Sequence, residues 1–298
     1  MTQQRLDYAP TPVVPVGLRQ RRLWFVGDRY AALRGYLRAH RRTWTALRGL
    51  REIVLVLAVY TLYDFTRFLV SGDVDAAMAH GRSILSLETR LGMAPERWLN
   101  HVVAPHALLA VPADYVYATL HYIVTPVVLI WLWRRHKDAY GNARTTLMIA
   151  TIVGLVGFSL LPVAPPRMLP GFVDTMSQYA NWGWWSSAAS APRGLAADTN
   201  QFAAMPSLHV GWALWCGWQL VRFGRHRTTK VLGVLYPLLI AAVVMSTANH
   251  YFADVVAGFV VVLIGAVLAK VFTTVEWRMR RKTIRLPAQS TPAQSTPA

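Results

Sequence analysis

The fold is decided by two short stretches of the sequence, MPSLH at residues 205–209 and NHYFAD at residues 249–254. Each stretch adjoins a long apolar run, so its polar side chains are predicted to lie at a membrane boundary. His250 and Asp254 are four residues apart, which places them on one face of a helix, about 6 Å apart along its axis. A carboxylate in that position holds the tautomer of the imidazole and leaves the other ring nitrogen as a nucleophile or base.

His209 is predicted to lie in the opening turn of a different helix. Pro206 suits the first position of a helix, and the unpaired backbone N–H groups there favour an anion. Ser207 would add a hydroxyl donor to a bound phosphate, although an interfacial histidine beside a serine cap also fits this stretch. A nucleophile, an acid and an anion site on one side of a membrane together indicate phosphoryl chemistry on a lipid.

The composition is typical of a multi-pass membrane protein. Of the 298 residues, 54% are hydrophobic and 15% charged, which is far too apolar for an ordinary soluble domain. We expect an all-α fold with six membrane-spanning helices, because six apolar runs approach the ~20 residues that cross a ~30 Å hydrocarbon core. The predicted spans are residues 51–70, 112–133, 145–163, 207–223, 231–248 and 252–272.

The placement of the +17 net charge argues against a nucleic-acid partner. The 31 Lys and Arg residues cluster, with 11 in residues 1–51, four in 134–144, four in 222–230 and six in 270–285. With six spans, all four clusters fall on one side, which the positive-inside rule assigns to the cytoplasm. Both termini are therefore predicted to be cytoplasmic, and the segments between the remaining span ends are predicted to be extracytoplasmic.

Several segments are predicted outside the spans. Apolar residues at helical spacing, broken by Gly92 and Pro95, indicate two short interfacial helices, and Trp182, Trp184 and Trp185 indicate a folded extracytoplasmic cap loop. The first span is expected to act as the insertion signal, since no signal-peptide core precedes it. The predicted segments are a disordered tail at 1–20, a basic cytoplasmic juxtamembrane segment at 21–50, a six-helix catalytic domain at 51–275, and a basic, then low-complexity, tail at 276–298.

Arg167 is predicted to be the main phosphate-binding cation, because it follows the third span on the same side as the two histidines. A guanidinium there can bind phosphate through two parallel hydrogen bonds. Lys137 and Arg144 precede that span and are separated from Arg167 by about the thickness of the membrane core. They are therefore predicted to be bystanders, and Arg193 in the outer loop is a second candidate.

A polar stripe descends from the outer end of the second span. Asp114, Tyr117 and His121 recur at helical spacing, so they either line a head-group pocket together with Asn249 or pair with neighbouring helices. No dedicated carboxylate cluster for a metal is visible. The single Cys216 lies within a span, so neither a disulfide nor a Cys metal site can form within one chain.

These motifs resemble those of the type 2 phosphatidic acid phosphatase superfamily. Residues 206–209, PSLH, are similar to the second motif of that family, Pro-Ser-Gly-His, and His250-x3-Asp254 is similar to the end of its third motif. The leucine in place of glycine, and the sequence HYxxDV at 250–255, look closer to the branch of inositol phosphorylceramide synthases and sphingomyelin synthases. Val244 stands where the phosphatases carry the arginine of the third motif, a residue that the synthase branch also lacks.

The resemblance covers residues 51–272 and implies an enzyme that needs no metal or other cofactor. By resemblance, His250 is the nucleophile, Asp254 orients it, and His209 is the acid and base. We therefore predict a lipid head-group phosphotransferase that acts through a phosphohistidine at an extracytoplasmic site, with a phospholipid or lipid-phosphate substrate and an inositol-type acceptor or donor. A lipid phosphate phosphatase and a non-enzymatic lipid binder or transporter are the alternatives. The excess of Arg over Lys, 27 to 4, is typical of a GC-rich bacterial genome.

Overall fold

The computed structural model describes residues 74–186, 189–192 and 201–284, together with residues 49–52 and isolated positions up to 61. The chain divides into two units, Met1–Ala58 and Val59–Ala298, and the elements discussed below all belong to the second. Most of the predicted first span, the two predicted tails and most of the basic juxtamembrane segment lie outside the described residues. The expectations for those segments stay predictions.

The described part of the second unit is predominantly helical, as the composition predicts. The two helices expected on either side of Gly92 and Pro95 are present, and the long apolar runs also form helices. The helices are α1 Val74–Arg90, α2 Pro95–Val103, α3 Ala107–Arg135, α4 Lys137–Leu160, α5 Thr175–Gln178, α6 Leu208–Phe223, α7 Arg227–Ser246 and α8 Phe252–Ile284.

Four helices in the described part of the chain are long and apolar enough to cross a membrane: α3, α4, α7 and the first 23 residues of α8. They coincide with four of the six predicted spans. Helix α6 coincides with a fifth, but its 16 residues are fewer than the ~20 that a membrane core requires. The structure thus supports a multi-pass membrane protein with at least four candidate spans, while the count of six stays a prediction.

The segment between α4 and α6 is the least regular part of the described helical bundle. It contains the single turn α5, two short 3-10 turns, and an antiparallel pair of strands, β1 Trp185–Ser186 and β2 Ala189–Pro192. Trp185 is fully buried, and its indole N–H donates to the carbonyl of Met176 at 2.8 Å. A buried indole with a satisfied N–H anchors this segment, whereas Trp182 and Trp184 remain exposed.

Helix α6 lies at the centre of the bundle and packs against α3, α4, α7 and α8. Its fully buried Trp215 donates to the carbonyl of Ala143 on α4 at 2.9 Å, and Cys216 is buried beside it. The start of α6 also contacts the start of α8, because the Ser207 N–H donates to the carbonyl of Asp254 at 3.0 Å. This contact brings the two sequence stretches together at one end of the bundle.

Gly258 permits that contact, as its place four residues after Asp254 suggests. A Cβ atom on Gly258 would lie 2.6 Å from the carbonyl oxygen of Ser207, which is backbone and cannot rotate away. The absence of a side chain at Gly258 therefore allows the two helix starts to approach this closely.

Replacing Gly258 with alanine is expected to destabilise the fold by about 1–3 kcal/mol, because the added methyl group forces α6 and α8 apart. The midpoint of thermal unfolding in detergent measures the effect. Gly141→Ala in α4 is the matched control, since a Cβ there has no atom within 4 Å. Equal midpoints for the two variants would contradict the assigned packing.

Candidate active site

His250 lies in the short connection between α7 and α8, two residues before α8 begins. Helix α7 ends at Ser246, Ala248 adopts a left-handed conformation with φ 55°, and the N–H groups of Asn249 and His250 both donate to the carbonyl of Val244. The expectation that His250 and Asp254 share one helical face is therefore wrong in detail. Only Asp254 is helical, and the turn before the helix brings the histidine to it.

The contacts of His250 fix its tautomer. The imidazole is almost completely buried, and its Nδ1 lies 2.8 Å from the carbonyl oxygen of Ala204 and 3.3 Å from Oδ2 of Asp254. A carbonyl oxygen can only accept a hydrogen bond, so Nδ1 carries a proton and donates it. In the neutral ring, Nε2 then holds the lone pair that a nucleophile needs.

Asp254 is held by backbone as well as by His250. It occupies the third position of α8, and its Oδ2 accepts the Tyr251 N–H at 2.9 Å, the backward half of a capping box. The side chain is completely buried. A carboxylate in the first turn of a helix is stabilised by the unpaired N–H groups there, so its orientation toward His250 is built into the helix start.

His209 is the second residue of α6. Ser207 is the N-cap, and its Oγ accepts the Val210 N–H at 3.4 Å, so Pro206 precedes the cap and does not occupy the first helical position as expected. Ser207 is completely buried, and its donation to a phosphate stays a prediction. The centroids of the His209 and His250 rings are 5.9 Å apart.

The three residues of the polar stripe on α3 contact two different parts of the structure. Tyr117 stacks on His209 with ring centroids 4.5 Å apart, and His121 meets His209 edge-on at the same centroid distance. Asp114 instead accepts a hydrogen bond from the hydroxyl of Thr175 at 2.6 Å. Two of the three residues therefore surround a candidate catalytic histidine, while the third ties α3 to α5.

Arg167 lies on the same side as the histidines. Its Nη1 donates to Oδ1 of Asn249 at 2.6 Å, and its backbone N–H donates to the carbonyl of Ala248 at 2.8 Å. Asn249 directly precedes His250, so the arginine is fastened to the loop that carries the candidate nucleophile. Asp174, which sequence reasoning missed, lies 3.7 Å from Nε of Arg167 and offsets part of its charge.

The two bystander cations lie near the opposite end of α4. Lys137 is the first residue of this 24-residue helix, and Arg167 follows its last residue by seven positions. The helix is about 36 Å long at 1.5 Å per residue, so Lys137 cannot reach a group held by Arg167. Arg144 instead lies over the ring of Tyr140 on its own helix, 5.9 Å from the centroid, and Arg193 lies outside the described residues.

Asn100 on α2 is a further residue that the sequence did not single out. Its amide donates to the carbonyls of Val173 and Ser246 at 2.9 Å each and accepts the Val173 N–H at 2.8 Å. These bonds join α2 to the end of α7 and to the segment that carries Asp174. Helical periodicity identifies the apolar face of α2, but it gives no signal for one buried amide beside it.

Within the residues that the structure describes, no group of three or more His, Cys, Asp or Glu side chains could hold a metal ion. The expectation that the reaction needs no metal or other cofactor stays a prediction, resting on the resemblance.

Comparisons with known proteins identify the family. Several apolar helices make this a multi-pass membrane protein, and the family model described as the PAP2 superfamily matches residues 82–268. The match covers more than half of the chain, and the chain belongs to the PAP2 superfamily. It is therefore an enzyme of the lipid phosphatase or phosphotransferase type, and the alternative of a non-enzymatic binder or transporter is set aside.

Among solved structures, the chain is similar to the one titled "Crystal structure of Aquifex aeolicus LpxE". The two are 20% identical, with a TM-score of 0.43, and the similarity covers 58% of this chain and 91% of the other. No curated protein matches the sequence.

Arg167→Ala is expected to lower the rate of phosphoryl transfer about 30- to 1000-fold, because losing a charge-assisted contact to the transferred group typically costs ~2–4 kcal/mol. Arg167→Lys should recover only part of the rate, since an ammonium cannot reproduce the guanidinium fork. Specific activity per folded protein is the measurement. Lys137→Ala and Arg144→Ala are the controls and should stay within about threefold of the wild type, because neither group reaches the site. The opposite ranking would overturn the assignment of Arg167.

Proposed function

We propose that the chain is a lipid head-group phosphotransferase that works through a phosphohistidine on His250. The observation that carries the proposal is the state of the His250 ring. Its Nδ1–H group donates to the carbonyl of Ala204 and lies beside Asp254, which leaves the lone pair on Nε2. The centroid of the His209 ring lies 5.9 Å from that of the His250 ring, so the proposed acid and base is beside the proposed nucleophile.

In the first step, Nε2 of His250 attacks the phosphorus of a lipid phosphoester. The new N–P bond forms as the P–O bond to the leaving alkoxide breaks, and protonated His209 donates its proton to the departing oxygen. Asp254 stabilises the positive charge that develops on the His250 ring, since the two side chains are already in contact. Asp254 is thus a positioning and charge-stabilising group.

In the second step, neutral His209 removes the proton of an acceptor hydroxyl, and the acceptor oxygen attacks the phosphohistidine. The O–P bond forms, the N–P bond breaks, and both histidines return to their starting states. Arg167 and the backbone N–H groups at the start of α6 bind the equatorial oxygens while charge redistributes over them. The Ser207 hydroxyl is proposed to add a donor there, and Asn249 keeps Arg167 in place.

The nature of the acceptor separates a transferase from a phosphatase. An alcohol such as inositol is proposed because the sequences PSLH at 206–209 and HYxxDV at 250–255 resemble those of the synthase branch. Val244, at the position of the third-motif arginine of the phosphatases, is completely buried and uncharged. This departure is shared with the synthase branch that the motifs resemble. If water is the acceptor, the same steps describe a lipid phosphate phosphatase.

His250→Ala is expected to abolish turnover without loss of folded protein, because His250 is the nucleophile of the proposed mechanism. Rapid quenching with phosphorus-labelled membrane phospholipids should trap label on the wild type that is stable in base and released by acid. Asp254→Asn should retain folded protein while turnover is lost. Normal turnover by the His250→Ala variant would show that the nucleophile is another group.

The same labelled lipids, supplied with and without inositol, identify the acceptor. A transferase should move label onto inositol or exchange inositol into the lipid pool, whereas a phosphatase releases inorganic phosphate at equal rates with and without the alcohol. Phosphate release that inositol leaves unchanged would replace the transferase assignment with that of a phosphatase.

The site is proposed to face the extracytoplasmic side, with both termini in the cytoplasm, on the basis of the positive clusters. In a Cys216→Ser background, Asn181→Cys is expected to react with an impermeant thiol reagent on intact cells, because Asn181 is exposed in the segment between α4 and α6, which is predicted to be extracytoplasmic. Thr228→Cys is the matched control, since Thr228 is exposed at the other end of the bundle. It should react only after the membrane is opened, and the reverse pattern would place the site in the cytoplasm.

A further inference from the structure

Two buried glutamates from different helices lie behind the candidate active site, and the mechanism above does not use them. Glu88 is near the end of α1 and is 4% exposed, and Glu96 is in the first turn of α2 and is 0% exposed. Glutamates are almost never fully buried unless they are paired. Two such carboxyl groups side by side therefore require an explanation from their surroundings.

Glu88 completes the first turn of the helix that carries Asp254. Its Oε1 accepts the N–H of Ala253 at 2.6 Å, and Ala253 is the second residue of α8. A side-chain oxygen of the N-cap residue normally satisfies an N–H at this position. Here the N-cap residue, Tyr251, is an aromatic residue whose hydroxyl donates to the carbonyl of Ala164 instead. The cap is consequently supplied by a glutamate 165 positions away in the sequence.

The remaining oxygens of the two glutamates point to a shared proton. The second oxygen of Glu88 and both oxygens of Glu96 have no other hydrogen-bond partner in the described part of the chain. The two carboxyl groups are within hydrogen-bonding reach of each other. Two carboxylates only accept hydrogen bonds, so a bond between them forms only when one carries a proton.

The charged groups around this pair favour that proton. Asp254 adds a third carboxyl group that interacts with both glutamates, and the hydroxyl of Tyr251 lies in the same cluster. Among the described residues, the cations that act on this cluster are Arg167, which acts on Tyr251, and His250 when it is protonated. Three negative charges would exceed these cations in a buried site, whereas one shared proton reduces the repulsion without breaking the cap.

We propose that Glu88 and Glu96 share one proton and act as a positioning pair that holds the first turn of α8, and with it Asp254, against His250. Glu96 donates or receives the shared proton, and Glu88 keeps one oxygen on the Ala253 N–H. Loss of the proton sets two buried carboxylates against each other and displaces the turn. The positioning role rests on the phosphohistidine function proposed above, whereas the shared proton can be tested without it.

The expected titration follows from the surroundings of Glu88. Burial, followed by the repulsion from Glu96, raises the pKa of Glu88 from 4.5 to about 8, against the lowering effect of the Ala253 N–H. A raised pKa in the folded state means that folding binds a proton between these two values. The stabilisation is therefore complete below about pH 4.5, declines as the pH rises, and is lost above about pH 8.

Glu96→Gln tests the pair, because the amide donates to ionised Glu88 without a shared proton. From pH 8 to pH 9, wild-type turnover of labelled phospholipid is expected to fall about fivefold, following the protonated fraction of the pair, while Glu96→Gln changes by less than about twofold. The thermal unfolding midpoint of the purified protein should decline between pH 5 and pH 8, and this decline should be shallower in Glu96→Gln. If Glu96 had only a structural role, the pH profiles of turnover and of the unfolding midpoint in Glu96→Gln would match those of the wild type.

Two further variants keep the test decisive. Glu88→Gln keeps an oxygen for the Ala253 N–H and an amide donor for Glu96, so it should show the same flattened profiles. Asp138→Asn, at an exposed carboxyl in the first turn of α4, is the control and should match the wild type.

Wild-type profiles in both glutamine variants would overturn the shared proton, and so would failure of both to fold, because the amides satisfy the same hydrogen bonds. If the glutamine variants show flattened unfolding profiles but the wild type turns over no lipid phosphate, the shared proton is supported and the proposed function is rejected. Flattened unfolding profiles with an unchanged alkaline fall in turnover would reject the positioning role alone.

Discussion

The candidate site depends on one backbone hydrogen bond, from the Ser207 N–H to the carbonyl of Asp254. It joins the cap of α6 to the first turn of α8, two elements separated along the chain by the whole of α7. The bond can form because Gly258 has no side chain to meet the carbonyl of Ser207. With the helix starts held together, the ring centroids of His209 and His250 lie 5.9 Å apart, an arrangement that neither element defines alone.

The second constraint is the cost of burying charge in an apolar protein. Unpaired ionisable groups are expensive in such surroundings, so they concentrate where backbone N–H groups or opposite charges can receive them. Two carboxyl groups accept hydrogen bonds at the start of α8: Asp254 accepts the Tyr251 N–H, and Glu88 accepts the Ala253 N–H. The start of the helix thus contributes its own electrostatic field to the orientation of His250.

Much of this architecture was predictable from periodicity and chemistry. Apolar runs of membrane length predicted α3, α4, α7 and α8, because such runs have few ways to bury their surface other than as helices. The two motifs placed His209, His250 and Asp254 in one neighbourhood, and counting residues along α4 separated Lys137 from Arg167. These inferences depend on local spacing or on the side of the membrane, both of which a linear sequence encodes.

Other features were not accessible in the same way. Asp114, Tyr117 and His121 follow a single helical stripe, yet Asp114 contacts α5 while the other two contact His209. Asp174, Asn100 and Glu88 carry no motif, and each acquires its role from partners at least seven and mostly more than seventy positions away. Their roles come from the packing of helices and loops that have no fixed spacing along the chain.

The sequence by itself determined the membrane class, most of the helices and the residue types of the site, because hydrophobic period and motif spacing are local properties. Only the tertiary structure decided that His250 stands in a turn before α8, that Ala204 fixes its tautomer, and that a distant glutamate caps the helix of Asp254. Those outcomes depend on hydrogen bonds between residues that are distant in the sequence, and such bonds form only after the helices have packed.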